Sequence, residues 1–486
     1  MGQGRDAGAG SGITIVWLRR ALRLADNPAL VAALAGGGAV VPVYVDAHDT
    51  RWSPGNAAHA WLALSLASLD SSLRARGSRL TVIAGPAAQS IPRLASSLGA
   101  RIVHYDRSAV AEIAGRDDTV VRALATASVG ARAHECALLR GPEVPLTGAG
   151  APYRVFTPYY NAARGLGGLP ALADAPERIP FPDAAFALPD GVTPLAPADV
   201  ARGAAAPPAL GSYFTPGEEG ALQALERFCA RALADYATDR DRPDVAGTSR
   251  LSAHLAFGEI APWRVAARVE AAASEGAAAY VRQLFWREFG AHLLHHLPQT
   301  ATAPLRPEFE AMPWSDDPAG LAAWADGRTG YPIVDAGMRE LAATGWMHNR
   351  VRMLAASFLS KDLLVPWQTG ERIFWDRLVD ADPGNNVLGW QWVAGSGADA
   401  APYFRVFNPT VQGERFDSDG AYVRTWVPEL ALLPPRWIHR PWEAPRDVLE
   451  GAGVVPGGSY PLPIVDHAEA RVRALAAYDA IRAGRR

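Results

Sequence analysis

A chain of 486 residues is too long for one ordinary core, so two or three domains are expected. With 49% hydrophobic and 20% charged residues it is composed as a globular protein, and no apolar run approaches the roughly 20 residues of a membrane span. A net charge of −3 excludes nucleic-acid binding through bulk charge and leaves only a local basic patch; two cysteines, Cys136 and Cys229, offer no thiolate set for zinc or an iron–sulfur cluster and fit a reducing compartment.

Residues 1–12 read as a flexible leader without the apolar core of a secretion signal, which points to a cytoplasmic protein. Ile13–Leu18, Ala39–Val45, Leu80–Ile83 and Arg101–Tyr105 are short apolar runs of the kind that form buried parallel strands. Asn27-Pro28 supplies a cap and a first-turn proline for the helix after the first run. Segments 57–76, 87–98 and 116–127 have helical periodicity, so residues 13–145 predict a doubly wound α/β domain. No GxGxxG follows the first strand, so a dinucleotide is not expected at that turn.

Residues 146–215 read as an interdomain connector, because nine prolines fall between 165 and 215. From 216 to 486 a larger all-α domain is expected, with helices over 218–238, 259–273, 276–297, 318–325, 333–344, 347–363 and 370–379. Loops are expected over 382–465, then a last helix over 467–483. Of the 15 tryptophans, 11 lie at or beyond Trp286, so this second part has the aromatic interior.

Several groupings in the helical part carry chemistry. Gln283, Trp286 and Arg287 fall on one helix face, where an amide, a flat ring and a guanidinium could bond, stack and clamp; a core tryptophan on an amphipathic helix has the same spacing. In Trp346–Met353 (WMHNRVRM), residues 346, 349, 350 and 353 share a stripe beside Arg352, for which Asp380 or Asp382 is the nearest carboxylate. Thr248–Ser252 sets three hydroxyls and an arginine before a helix, which suits a phosphate or a plain cap. Trp314, Trp367 and Trp390 are uninformative singly. His292 and His296 have metal spacing without a third ligand in view, so no metal is expected.

Together these segments resemble the photolyase/cryptochrome family over nearly the whole chain, most closely a bacterial cyclobutane-dimer DNA photolyase. The match runs through Val16–Pro28, Tyr153–Pro158, Gly247–Ser252, Trp286–Phe289, Gly330–Asp335, Trp346–Met353 and Gly389–Trp392. The resemblance implies FAD in the helical domain. Tyr236, Thr248, Ser249, Arg250, Leu251 and Ser252 would then hold its diphosphate, with Arg287 close by. Asp380 and Asp382 would face the flavin and ribityl side, with Arg352 paired to Asp380. Asn386 would stand opposite flavin N5. It further implies a flipped pyrimidine dimer of UV-damaged DNA between Trp286 and Trp392, with Asn349, Met353 and Gln283 completing the cavity. Arg240, Arg287, Arg350 and Arg405 are implied phosphate contacts. Trp390, Trp367 and Trp314 match the family's electron-carrying tryptophan chain. The implied activity is that of a deoxyribodipyrimidine photo-lyase, acting as a monomer without a protein partner.

Three positions depart from that pattern. Gln283 stands where glutamate is common, and an amide cannot release a proton to a reduced pyrimidine. Ala21 replaces an aspartate in the opening loop. Tyr105-Asp106 stands where folate-binding relatives show Trp-Asn, so an antenna is expected as folate first, deazaflavin second, or none. A cryptochrome-like photoreceptor and a six-four photolyase are the alternative readings; Gln283 favours the latter slightly, Asn386 opposes the former.

Overall fold

The computed structural model describes residues 12–182, 186–399 and 404–483. Its first layer is a six-stranded sheet in the order β5-β4-β1-β2-β3-β6. The strands are β1 (Ile13–Leu18), β2 (Val40–Asp46), β3 (Thr81–Ala84), β4 (Ala100–Asp106), β5 (Gly130–His134) and β6 (Thr193–Leu195). The first five are parallel, while β6, from the proline-rich connector, lies antiparallel on β3. Helices α1 (Pro28–Ala35), α2 (Asn56–Arg74), α3 (Ala87–Ser97) and α4 (Ala111–Thr126) join them. β1 is buried along nearly its whole length, as a strand covered on both faces must be. Asn27 caps α1, its side chain accepting from Leu30 N at 3.1 Å.

The rest is helical. α5 (Phe156–Arg164), α6 (Leu210–Tyr213), α7 (Glu218–Arg231), α8 (Tyr236–Asp239), α9 (Ser252–Phe257) and α10 (Pro262–Glu270) lead to the long α11 (Glu275–His296). There follow α12 (Pro318–Ala325), α13 (Pro332–Thr344), α14 (Asn349–Ser357), α15 (Trp367–Arg377) and α16 (Pro383–Ala394). α17 (Pro409–Phe416), α18 (Ala421–Trp426), α19 (Pro435–Ile438), α20 (Arg446–Ala452) and α21 (His467–Ala483) complete the chain.

Three expectations need correction. The stretch 218–238, expected as one helix, breaks after Arg231 into α7 and α8. The stretch 382–465, expected as loops, contains α16 and four further helices. Asp382 caps α16 through Asn385 N at 3.0 Å and Pro383 occupies its first turn, so local start signals outweigh the glycines and asparagines that follow. The helix then packs where α11 and α16 meet backbone to backbone: a Cβ on Gly384 would lie 2.7 Å from Gly290 C. The stretch 347–363, expected as one helix, closes with a π-turn at Phe358–Asp362.

Candidate functional site

α16 is the centre of the site, packing on α11, α14 and α15. On α11, Gln283, Trp286 and Arg287 form a half-buried face while Leu284, Phe285 and Glu288 are buried behind it. The Trp286 ring stacks on Phe156 with centroids 3.7 Å apart and planes within 7°. Arg282 lies over Phe156 and Tyr160, at 4.8 and 4.9 Å. From α16, Trp392 Nε1 donates to the Asp399 carbonyl at 3.1 Å. The Asp399 carboxylate accepts from Phe156 N. Trp286, Phe156, Asp399 and Trp392 are thus one connected wall. Gln283 Nε2 donates to Ala279 O at 3.4 Å, along its own helix.

Asn349 and Met353 are neighbours one turn apart on α14, with Asn349 Nδ2 at 3.9 Å from Met353 Sδ. Arg352 on the same helix donates to Asp380 Oδ2 at 2.8 Å and to Met347 O at 2.7 Å. Arg350 pairs with Asp241 at 2.7 Å. His348 caps α14 by accepting Arg350 N on Nδ1, so its Nε2 carries the proton. Burial lowers the imidazole to about 4, which keeps it neutral.

Asn386 is buried on α16. Its Nδ2 donates to Glu371 Oε1 at 2.9 Å and to Glu371 O at 3.1 Å. Both partners only accept, so the orientation of the amide is fixed and Oδ1 is its remaining acceptor. Burial raises the Glu371 carboxyl, opposed by Arg51 and by the Asn386 bond. Asp382, besides capping α16, takes Arg20 at 3.1 Å.

Trp390 and Trp367 are each 2% exposed, and Trp314 is half-buried. Gly370, one turn from Trp367 on α15, makes room for Trp390: a Cβ there would sit 2.1 Å from the Trp390 ring. Trp324 and Phe374 pack edge-on against Trp390 at 6.3 and 5.0 Å.

The hydroxyl-rich segment lies beside these helices. Ser249 Oγ shares a hydrogen bond with Tyr280 OH at 2.8 Å and accepts Leu251 N at 3.2 Å. Tyr236 is buried edge-on against Tyr280. Arg250 takes a positive φ of 53° and lies over Trp346 at 5.2 Å. Trp346 Nε1 donates to Ser252 Oγ at 3.2 Å. Thr248 is half-buried beside them. Arg287, an expected phosphate clamp, donates to the carbonyls of Ala137 and Leu255 at 2.6 and 3.1 Å. Arg240 lies 3.9 Å from Asp241 and over Tyr236. Arg405 is exposed, and its carbonyl accepts Lys361 Nζ.

Residues 14–178 match the family described as DNA photolyase, and residues 280–480 match the FAD binding domain of DNA photolyase. The chain is 45% identical to the deoxyribodipyrimidine photo-lyase of Agrobacterium fabrum, over 96% of this chain and 98% of that one. The chain belongs to the DNA photolyase family. A crystal structure of a bacterial class III photolyase from Agrobacterium tumefaciens superposes with a TM-score of 0.93 at 43% identity, covering 99% of this chain and 100% of that one. Cryptochrome-1 of Arabidopsis thaliana is 36% identical over 97% of this chain and 71% of its own length.

A photolyase with this FAD-binding domain needs polar atoms that the protein's own hydrogen bonds leave over, and two buried atoms are of that kind. Asp380 Oδ1 and His348 Nε2 are both buried without a protein partner. With one acceptor and one donor left over beside the Arg352 pair, the residues fit a large polar cofactor. Phe156, Asp399, Glu371 and His348 escaped the sequence reading. Phe156 and His348 had a signal there, since they lie inside the Tyr153–Pro158 and Trp346–Met353 motifs.

Proposed function

We propose that this photolyase splits cyclobutane pyrimidine dimers in UV-damaged DNA under blue light, a carbon–carbon lyase reaction with no net redox change. The observation that supports it most is the connected wall of Trp286, Phe156, Asp399 and Trp392, with Asn349 and Met353 on α14, the helix that packs on α16. Enzymes that act on bases within a duplex take them out of the stack, and a flat apolar slot rewards that. Trp286 and Trp392 bind the flipped dimer, with Asn349 and Met353 closing the cavity and Gln283 reaching a pyrimidine carbonyl. Arg240, Arg287, Arg350 and Arg405 are the proposed phosphate contacts.

When bound in reduced form, FAD supplies the photoexcited electron for this chemistry. We assign its phosphates to Tyr236 and Thr248–Ser252 with Arg287 near, and its ring and ribityl side to Arg352, Asp380, Asp382 and Asn386. Asn386 offers Oδ1, an acceptor only, so it holds an N–H and gives it no proton. Trp390, Trp367 and Trp314 conduct an electron inward from the surface.

For an antenna, a folate is our first reading and a deazaflavin our second. Asp106 does not offer a free carboxylate for it: Arg19 lies at 3.5 Å, and Asp106 accepts Arg20 N at 2.9 Å. No helix among the described residues is long and apolar enough to cross a membrane. We place the enzyme's action on chromosomal DNA in the cytoplasm, as a monomer.

The test is illumination of the purified, chemically reduced protein with an oligonucleotide carrying one cyclobutane thymine dimer. Light-dependent restoration of the thymines is expected. Its absence, with FAD bound and photoreducible, would overturn the proposal; repair of a six-four lesion instead would support the reading that Gln283 favours.

A further inference from the structure

The α/β domain carries a side-chain cluster that lies outside the residues proposed above for repair. Asp46 ends β2, His48 follows two residues on, and His59 lies in the first turn of α2. One ligand atom from each residue lies within 4.8 Å of the other two. Asp46 Oδ1 and His48 Nε2 are 3.5 Å apart, and the two imidazole rings sit 5.0 Å apart between centroids.

An ordinary surface ion pair would explain Asp46 and His48. It does not explain His59, whose Nε2 is shut off from solvent and has no hydrogen-bond partner. A buried nitrogen without a partner is unfavourable, and a cation that takes a lone pair from it and from the neighbouring imidazole supplies one.

The surroundings hold the cluster in place. Gly55, just before α2, packs so tightly on α15 that a Cβ would lie 2.5 Å from Asp376 Cα. Asp376 Oδ1 in turn accepts from Asn56 Nδ2 at 2.9 Å. His59 is therefore carried by a fixed helix start. His48, with a side chain 57% exposed, is the member at the open side.

We propose that Asp46, His48 and His59 bind a divalent transition cation of the zinc type, with the fourth position open to solvent. Two imidazoles and one carboxylate suit zinc, cobalt, nickel or copper, whereas magnesium and calcium prefer all-oxygen sets. Tetrahedral donors about 2.1 Å from zinc sit about 3.4 Å from each other. The Asp46–His48 pair already has that spacing, and the other separations, no more than 4.8 Å, are within reach of side-chain rotation at the three residues. The bound cation ties the end of β2 to the start of α2 beside α15, so its role is structural.

The test uses chelator-treated, tag-free holoenzyme titrated with cobalt(II), then with zinc. One equivalent of cobalt is expected, with visible bands of a low-coordinate nitrogen/oxygen site that zinc abolishes, and zinc should raise the Tm. His48→Ala changes an exposed side chain and leaves folding intact; it should weaken binding at least tenfold and remove the zinc-dependent Tm shift. Asp46→Asn should weaken binding in the same direction, with FAD content unchanged. Absence of stoichiometric cobalt binding, or binding unaltered by His48→Ala, would overturn the site.

Discussion

Phe156→Leu isolates the stack that carries the lesion wall. Phe156 is fully buried, its ring parallel to Trp286 at 3.7 Å. Leucine keeps most of the volume, so the fold should lose no more than about 1.5 kcal/mol. The aromatic pair itself is worth about 0.5–1.5 kcal/mol beyond its buried area, and leucine removes that contribution. If the stack fixes Trp286 for the flipped dimer, roughly 1 kcal/mol should leave the affinity for damaged DNA, about fivefold. The affinity for intact duplex should stay the same, because that binding does not use the slot. Paired titrations with a dimer-containing and an intact oligonucleotide, alongside a Tm measurement, give the comparison. An equal loss on both DNAs, or no loss on either despite a lowered Tm, would refute the role of the stack.

Trp390→Phe should block photoreduction of oxidised FAD and leave repair by pre-reduced enzyme nearly intact; loss of both would move the electron path elsewhere. Gln283→Glu should raise the quantum yield of cyclobutane repair, because a carboxyl can release the proton that an amide withholds, and an unchanged yield would end that account. Burial raises the Glu288 carboxyl from 4.5 to about 7. The folded protein therefore holds this proton while the unfolded chain releases it. The contribution of Glu288 to stability should fall as pH rises from about 4.5 to about 7, and be flat above that. Glu288→Gln should flatten this part of a stability–pH curve, and a slope unchanged from wild type would refute it.

The α/β half of the fold was legible because buried parallel strands are written as short apolar runs, and Asn27-Pro28 as a helix start. β6 was not, since three residues holding a proline have no pattern until β3 offers an edge. α16 was missed for a sharper reason. Gly384, Asn385, Asn386 and Gly389 disfavour a helix locally, yet Gly384 is what lets α16 close on Gly290 of α11, and Asn386 is what Glu371 holds. The residues that lower helix propensity are the ones the site needs, so a propensity argument fails at the point where function begins. The same logic separates residue type from orientation. Asn386 could be singled out as an amide from sequence, but an amide both donates and accepts. Which it does here is decided by Glu371, a buried acid on another helix. Asp46, His48 and His59 show the remaining limit: no spacing in the chain joins them, and only the packing of the start of α2 against α15 brings a half-buried imidazole to the end of β2.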